Sequence, residues 1–406
     1  LRADTVPPLR IAYFPDSYNE VDGIAITARH FEAFAKKHSL DFLIVHAGPN
    51  KQTFTSGSVT RVQFPRGPLT FPLDRAHRHD LAYWRHYREV FQLVQDFAPD
   101  VLHITGPSDV GMLGALVAHK QCIPLAASWQ TNLHQYAHSR VSSALAFLPE
   151  SASRGLPDAA ERWTLRGATR FYKIPRLLFA PNREMIALLE KATGKPCFLM
   201  AHSVDTTVFS PAFRDAEKRP LTVGYVGRLT SEKNVRRIAQ IEHALLERGH
   251  RDFRFLIVGD GVERKWLGKQ MRQADFTGVL TGRDLSCAFA RMDLFVFPSQ
   301  TDTFGLVVLE ALSSGVPAIV SAIGGPKDTV QHGKTGYIAN NLEEFVGYAD
   351  CLLRDPELLA PMRIAARNYA LTTSWEDAFT NMCDAYVQHC CPHKLAPVAR
   401  AQVTGS

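Results

Sequence analysis

In the segment PSQTDTFGLVVLEALSSGVPAIV (298–320) two carboxylates, Asp302 and Glu310, stand eight positions apart. Asp302 precedes a Phe–Gly pair, whereas Glu310 lies inside an apolar run between Leu309 and Ala311. A carboxylate is costly in such surroundings unless a partner is brought to it. LFVFP reads as a buried strand closed by Pro298, SQTDT as a loop, and a helix is expected over 304–314. The N–H groups of Phe304, Gly305 and Leu306 then sit at the positive end of that helix, where a phosphate is held. Glu310 follows Leu306 by four residues, so it shares that face and leans back toward the helix start. A carboxylate repels phosphate but accepts hydrogen bonds from the two hydroxyls of a ribose. Asp302, ahead of the helix, lies on the far side of the phosphate, where a second polyol fits. The two acids would thus bracket a nucleotide diphosphate-sugar. The plainer alternative makes Asp302 a helix cap and Glu310 a surface residue.

A phosphate also needs cations. GYVGRLTSEKNV (224–235) supplies them: Gly227 ends a strand, Arg228 follows at once, and Lys233 stands near an expected helix start. Arg grips a diphosphate with a fork and Lys adds a point charge. Ser231 is placed to cap the following helix. The alternative is a pair of surface charges flanking a turn. Near the amino terminus PDSYNEVDGIAIT (15–27) has one glycine, Gly23, opening a helix, and no G-x-G-x-x-G. That argues against a dinucleotide cofactor and leaves Gly23 as a backbone approach to phosphate.

These residues must be positioned by a scaffold, and the chain alternates strand and helix twice over. Apolar β-rich runs at 9–15, 40–47, 59–65, 100–106, 123–130 and 177–182 are separated by helix-like stretches such as 24–37 and 80–97. The scheme repeats with runs at 221–227, 253–261, 275–282, 294–299 and 317–325, and helices expected over 233–248, 262–273, 284–291 and 304–314. Strands apolar on both faces belong to parallel sheets covered by helices. The expected architecture is α/β, with two doubly wound Rossmann-like domains facing across a cleft. Domain boundaries are expected at 1–203, with a carboxy-terminal helix over 374–391 packing back on this domain, then a linker over 204–220, a second domain over 221–373 and a loose tail over 392–406.

With 46% apolar and 21% charged residues, the chain has the composition of a packed globular protein. No apolar run is long enough to span a bilayer, and LRADTVPPLR lacks the apolar core of a secretory leader. Seven scattered cysteines without C-x-x-C fit a reduced, cytoplasmic protein without structural zinc. The net charge of +6 is uneven: residues 1–180 hold 20 Lys and Arg against 15 Asp and Glu. Arg140, Arg154, Arg162, Arg166, Arg170, Lys173 and Arg176, interleaved with Leu145, Phe147 and Trp163, suit the inner face of an anionic membrane and a lipid acceptor. A solvated helix pair is the alternative. No nucleic-acid motif is present.

The combination closely resembles the signature of family 4 retaining glycosyltransferases, which adopt the GT-B fold. Their E-x7-E motif appears as D-x7-E, with Asp302 first; YVGRLTSEKN, the Val258 to Gly261 stretch VGDG, SVDTTVFSP and GGPKD (324–328) match further motifs. The resemblance implies a hexose transfer from a nucleotide diphosphate-sugar to a hydroxyl acceptor, with no cofactor and no metal. It implies that Arg228 and Lys233, after Gly227, hold the donor diphosphate and Glu310 the nucleotide ribose. Asp302, Thr303 and the amides of Phe304, Gly305 and Leu306 would meet the sugar and its phosphate, Gly23 the first-domain glycine loop, and 279–282, ending at Gly282, the base. SWQTN (128–132) places Gln130 where many members have a donor-facing His. Gln donates a hydrogen bond but carries no proton at neutral pH. In this feature the chain resembles GDP-mannose-dependent α-mannosyltransferases, with a UDP-sugar as the next choice of donor. Two other readings of the same fold are a non-hydrolysing nucleotide-sugar epimerase and an idle nucleotide-sugar-binding homologue.

Overall fold

A computed structural model describes residues 8–20, 22–72, 78–132, 155–214 and 220–394 of the chain. It divides into two compact units. The first comprises Leu1–Gln130, Thr169–Met200 and Glu376–Ser406; the second comprises Thr131–Ala168 and Ala201–Trp375.

The first unit holds an eight-stranded sheet in the order β10-β9-β8-β7-β1-β2-β4-β3. Its strands are β1 (Arg10–Phe14), β2 (Asp41–Gly48), β3 (Gln52–Ser56), β4 (Val59–Pro65), β7 (Val101–Ile104), β8 (Leu125–Ser128), β9 (Leu177–Ala180) and β10 (Cys197–Leu199). All described pairings are parallel except β3 with β4. A separate ribbon pairs β5 (Thr70–Pro72) with β6 (Arg78–Asp80). The second unit holds a parallel sheet, β13-β12-β11-β14-β15-β16. It is built from β11 (Leu221–Val226), β12 (Phe253–Val258), β13 (Ala274–Gly278), β14 (Leu294–Phe297), β15 (Ala318–Ser321) and β16 (Gly336–Ala339). The central strands are buried because helices cover both faces, which is why they read as unbroken apolar runs. In each sheet the chain order reverses beside the first strand, between β1 and β7 and between β11 and β14. Loops at the carboxyl ends of such a pair diverge and leave room for a ligand.

Local chemistry moves several expected boundaries. The helix expected over 80–97 starts only at Tyr87, after a 3-10 turn over Tyr83–His86. Asp80 instead ends β6, and its carboxylate takes the N–H groups of Gly67 (2.6 Å) and Ala82 (2.9 Å) and the Arg85 guanidinium (2.6 Å). The helix expected over 233–248 begins at Arg236, because Asn234 at φ +54° interrupts the chain. Ser231 therefore lies in a 3-10 turn, Ser231–Lys233, and caps no α-helix. The strands β3, β5, β6, β10 and β16, each only three to five residues long, are not foreseen; β3 is exposed throughout.

Helix Trp375–His389 lays Phe379 flat on Phe31, ring centroids 4.5 Å apart and planes 5° from parallel. Pro392–Lys394, expected to be loose, forms a turn in which Lys394 Nζ donates to Asp100 Oδ2 at 2.5 Å. Of the basic segment, 133–154, with Arg140, Leu145, Phe147 and Arg154, lies outside the described residues. Helix Leu156–Phe171 carries Arg162, Arg166 and Arg170 and exposes Trp163. Among the described residues no helix is long and apolar enough to cross a membrane.

Replacing Phe379 by Ala removes a buried stacked ring and is expected to cost about 3 kcal/mol of stability. Urea unfolding followed by circular dichroism reads this; an unchanged midpoint would show that the helix contributes nothing there.

Candidate active site

Two loops leave the carboxyl ends of the neighbouring strands β11 and β14, and side chains tie them together. Lys233 Nζ donates to Asp302 Oδ1 at 2.5 Å, with the side chains only 10% and 18% exposed. Thr301 Oγ1 donates to the Glu232 carbonyl at 3.1 Å, and Asn234 Nδ2 to the Pro298 carbonyl at 3.3 Å. Two of the residues singled out for chemistry are therefore partners of each other. Sequence spacing gave no sign of this, since they stand 69 positions apart. The other Asp302 oxygen, Oδ2, is buried with no hydrogen-bond partner among the described residues, as are Thr230 Oγ1 and Ser299 Oγ. Each such atom costs about 1–3 kcal/mol unless a partner arrives.

Helix Leu306–Ser313 begins two residues later than expected. Gly305 precedes it at φ +80°, and the Gly305 carbonyl accepts the Val308 N–H at 2.9 Å. Asp302 makes no cap bond to this helix, so the capping alternative fails. Phe304 stacks on His202, centroids 4.4 Å apart. The loop is held from beneath by 324–326. Gly325 N–H donates to the Asp302 carbonyl at 2.8 Å, and a Cβ on Gly325 would lie 1.8 Å from the Thr303 carbonyl oxygen. On the other loop, a Cβ on Gly259 would lie 2.0 Å from the Gly227 carbonyl oxygen, and one on Gly261 2.2 Å from that of Leu229. The glycines of GGPKD and VGDG thus allow backbone to press on backbone and fix both loops.

Glu310 lies in the second turn of the helix, partly exposed and flanked by buried Leu309 and Ala311. Loss of hydration pushes its carboxyl from the ordinary 4.5 up to about 7. Hydroxyl donors favour the ionised form, so a diol would offset what desolvation costs.

The remaining candidates are more dispersed. Arg228 is half-buried at the end of β11, and its carbonyl accepts the Tyr225 hydroxyl at 3.0 Å. Gly282, at φ +54°, opens helix Gly282–Ala290 on the exposed edge beyond β13. Gly23 and Gln130 belong to the first unit. Gly23 starts helix Gly23–Lys37, whose cap Asp22 accepts the Ala25 N–H at 2.8 Å. Gln130 follows β8, and its Nε2 donates to Ser128 Oγ at 3.0 Å. Ser128 Oγ is 3.1 Å from His103 Nε2, and His103 Nδ1 is 2.6 Å from the Tyr386 hydroxyl. Burial holds His103 down at about 3, so it is neutral. Among the described residues no group of three or more His, Cys, Asp or Glu side chains is arranged to hold a metal ion.

Comparison with known proteins identifies the family and the fold. The family model described as "Glycosyl transferases group 1" matches residues 209–369. A GDP-mannose-dependent alpha-mannosyltransferase of Mycolicibacterium smegmatis is 33% identical, covering 73% of this chain and 74% of that one. A protein of the same name from Corynebacterium glutamicum is 27% identical over 94% of this chain and 90% of its own. The chain belongs to the group 1 glycosyltransferases. Its fold is GT-B: sucrose-phosphate synthase of Thermosynechococcus elongatus matches with a TM-score of 0.72 at 16% identity, covering 94% of this chain and 98% of that one. Anabaena HepE, solved with UDP-glucose, matches with a TM-score of 0.67 at 16% identity, covering 94% and 100%.

For this glycosyltransferase, sequence reasoning missed His202 and the clamping role of 324–326. The GGPKD motif was the available signal for the clamp. Nothing in the sequence marks His202, which reaches Phe304 only through the fold.

Gly325→Ala is expected to displace the Asp302 loop and lower turnover at least roughly tenfold, since a tightly packed backbone contact cannot relax cheaply. Initial-rate assay checks it, and a wild-type rate would show that the clamp is unimportant. Glu310→Gln makes a second prediction. In the fold Glu310 holds its proton up to about 7 and in the unfolded chain only up to about 4.5. The folded state is therefore the more protonated one in between, and wild-type stability falls as pH rises through that window. Without donor, Glu310→Gln should be more stable than wild type at pH 8, by on the order of 1–3 kcal/mol, and indistinguishable at pH 4. Thermal unfolding at the two pH values tests this; a less stable variant at pH 8 would contradict the desolvated carboxylate.

Proposed function

We propose that this glycosyltransferase moves a mannosyl unit from GDP-mannose, with retention of the anomeric configuration, to a hydroxyl of a lipid or glycolipid. The observation that carries the donor site is the Lys233–Asp302 pair beside the start of helix Leu306–Ser313, with Asp302 Oδ2 left as an open acceptor. The relatives named as GDP-mannose-dependent support the choice of sugar. The lipid acceptor is supported by the basic residues of helix Leu156–Phe171 with exposed Trp163, and by a relative named as an alpha-monoglucosyldiacylglycerol synthase at 23% identity over 89% of this chain.

In this reading an ammonium with three donors keeps one on Asp302 and turns another to the donor phosphate. Arg228 and the helix start share the charge that grows on the phosphate as the sugar leaves. Glu310 accepts the ribose hydroxyls, and Asp302 Oδ2 accepts a hydroxyl of the sugar. The acceptor hydroxyl attacks from the face the phosphate leaves, and the departing phosphate oxygen takes its proton. Retention follows, and no side chain acts as base. No step in this scheme uses a metal.

A panel of GDP-mannose and UDP-, GDP- and ADP-glucose, assayed for nucleotide diphosphate release, should show GDP-mannose turned over fastest, with undiminished rate in EDTA. Proton NMR of the first product should show the donor's α configuration. Lys233→Ala should lower turnover more than roughly tenfold, the size expected on losing a transition-state cation. Preference for a UDP-sugar, a β product, or a wild-type rate in Lys233→Ala would each overturn the corresponding part.

A further inference from the structure

The ribbon of β5 and β6 in the first unit has two unlike faces. Opposed residues share a face, and the register places Phe71 against His79 and Thr70 against Asp80. Leu81 N–H donates to the Leu69 carbonyl at 3.3 Å, which extends the pairing by one step. Leu69, Phe71, His79 and Leu81 thus line one face, and the Asp80 side chain, fully buried on Arg85, lies on the other. The first face is turned to solvent: Leu69 is 60% exposed, Phe71 41% and Leu81 70%. One 3-10 turn further, Trp84 is 70% exposed while its neighbour Tyr83 is buried. Single exposed apolar residues are ordinary, but four large ones within one short segment are not.

Charge indicates the occupant. Over 78–89, RHDLAYWRHYRE, there are three arginines and two acids; Asp80 is buried on Arg85, and Glu89 is paired with Lys51. Arg88 is exposed. A second copy of this chain would set like charges against each other, whereas an apolar face whose segment carries an excess of arginine suits an anionic bilayer. We infer that the apolar face of this ribbon, with Trp84, docks the enzyme on an anionic lipid surface. This deepens the lipid-acceptor reading above, but it stands on these exposed residues and is tested without any sugar transfer.

The full chain is floated with vesicles of phosphatidylcholine alone or mixed with phosphatidylglycerol. Wild type should bind the mixed vesicles, more weakly as salt is raised, and the triple variant Leu69→Ser, Leu81→Ser, Trp84→Ser should lose at least roughly tenfold in partitioning. Vesicles should shift wild-type tryptophan emission to the blue, and Trp84→Phe should abolish most of that shift. Melting curves confirm that the variants fold, since all these side chains are exposed. Triple-variant binding equal to wild type, or wild type that ignores anionic vesicles, overturns the inference. So does a wild type that is dimeric where the triple variant is monomeric, which would make the occupant a second copy. Nucleotide release from GDP-mannose without vesicles, expected unchanged in the triple variant, reports the donor chemistry separately; its absence in wild type would count against the function and leave the docking result standing.

Discussion

A salt bridge between Lys233 and Asp302 joins two loops that share no ladder and no helix. Each loop hangs from the carboxyl end of a buried strand, and the strands β11 and β14 are neighbours because the sheet reverses its order there. Both charges are largely removed from water. Breaking such a pair by removing one member leaves the other uncompensated, at about 3–5 kcal/mol. The pair therefore specifies one arrangement of the loops, and it holds the cation beside a helix start. In the proposed reading a donor phosphate entering there would meet an ammonium already largely desolvated.

The glycines explain why the loops can carry that pair. Gly325 and Gly259 are positions where any side chain would collide with the opposing carbonyl. The backbone of each loop rests on a second loop, and rigidity comes from these contacts. Glu310 is the complementary element: its carboxylate is raised toward neutrality by lost hydration. A free enzyme that pays this cost in stability is consistent with a residue kept for a guest that supplies hydroxyl donors.

Much of this was legible in the sequence because parallel sheets write plainly. The runs at Leu221–Val226 and Leu294–Phe297 are apolar on both faces, and their loops carried Arg228, Lys233 and Asp302 in motifs that resemble one family. Glu310 stood out because a charge among Leu309 and Ala311 has few structural reasons to exist. What the sequence withheld depends on three-dimensional approach. The partnership of Lys233 with Asp302, the clamp of Gly325 on Thr303, and the stacking of His202 on Phe304 all join distant segments. The helix boundary at Leu306 moved because Gly305 takes a left-handed turn close to Pro326, a constraint that lies outside its own neighbourhood. Strands β5 and β6 were missed because their outward face is apolar while their inward face holds Asp80, the reverse of the usual pattern.

The most direct test is to exchange the pair's charges. In the double variant Lys233→Asp with Asp302→Lys the bridge can re-form, so melting should stay near wild type, while the cation moves to the opposite loop. Titration calorimetry with GDP should then show binding weakened at least roughly tenfold, the cost of losing one well-placed charge-assisted contact. GDP binding equal to wild type in a folded double variant would contradict the account, because the place of the ammonium would not matter.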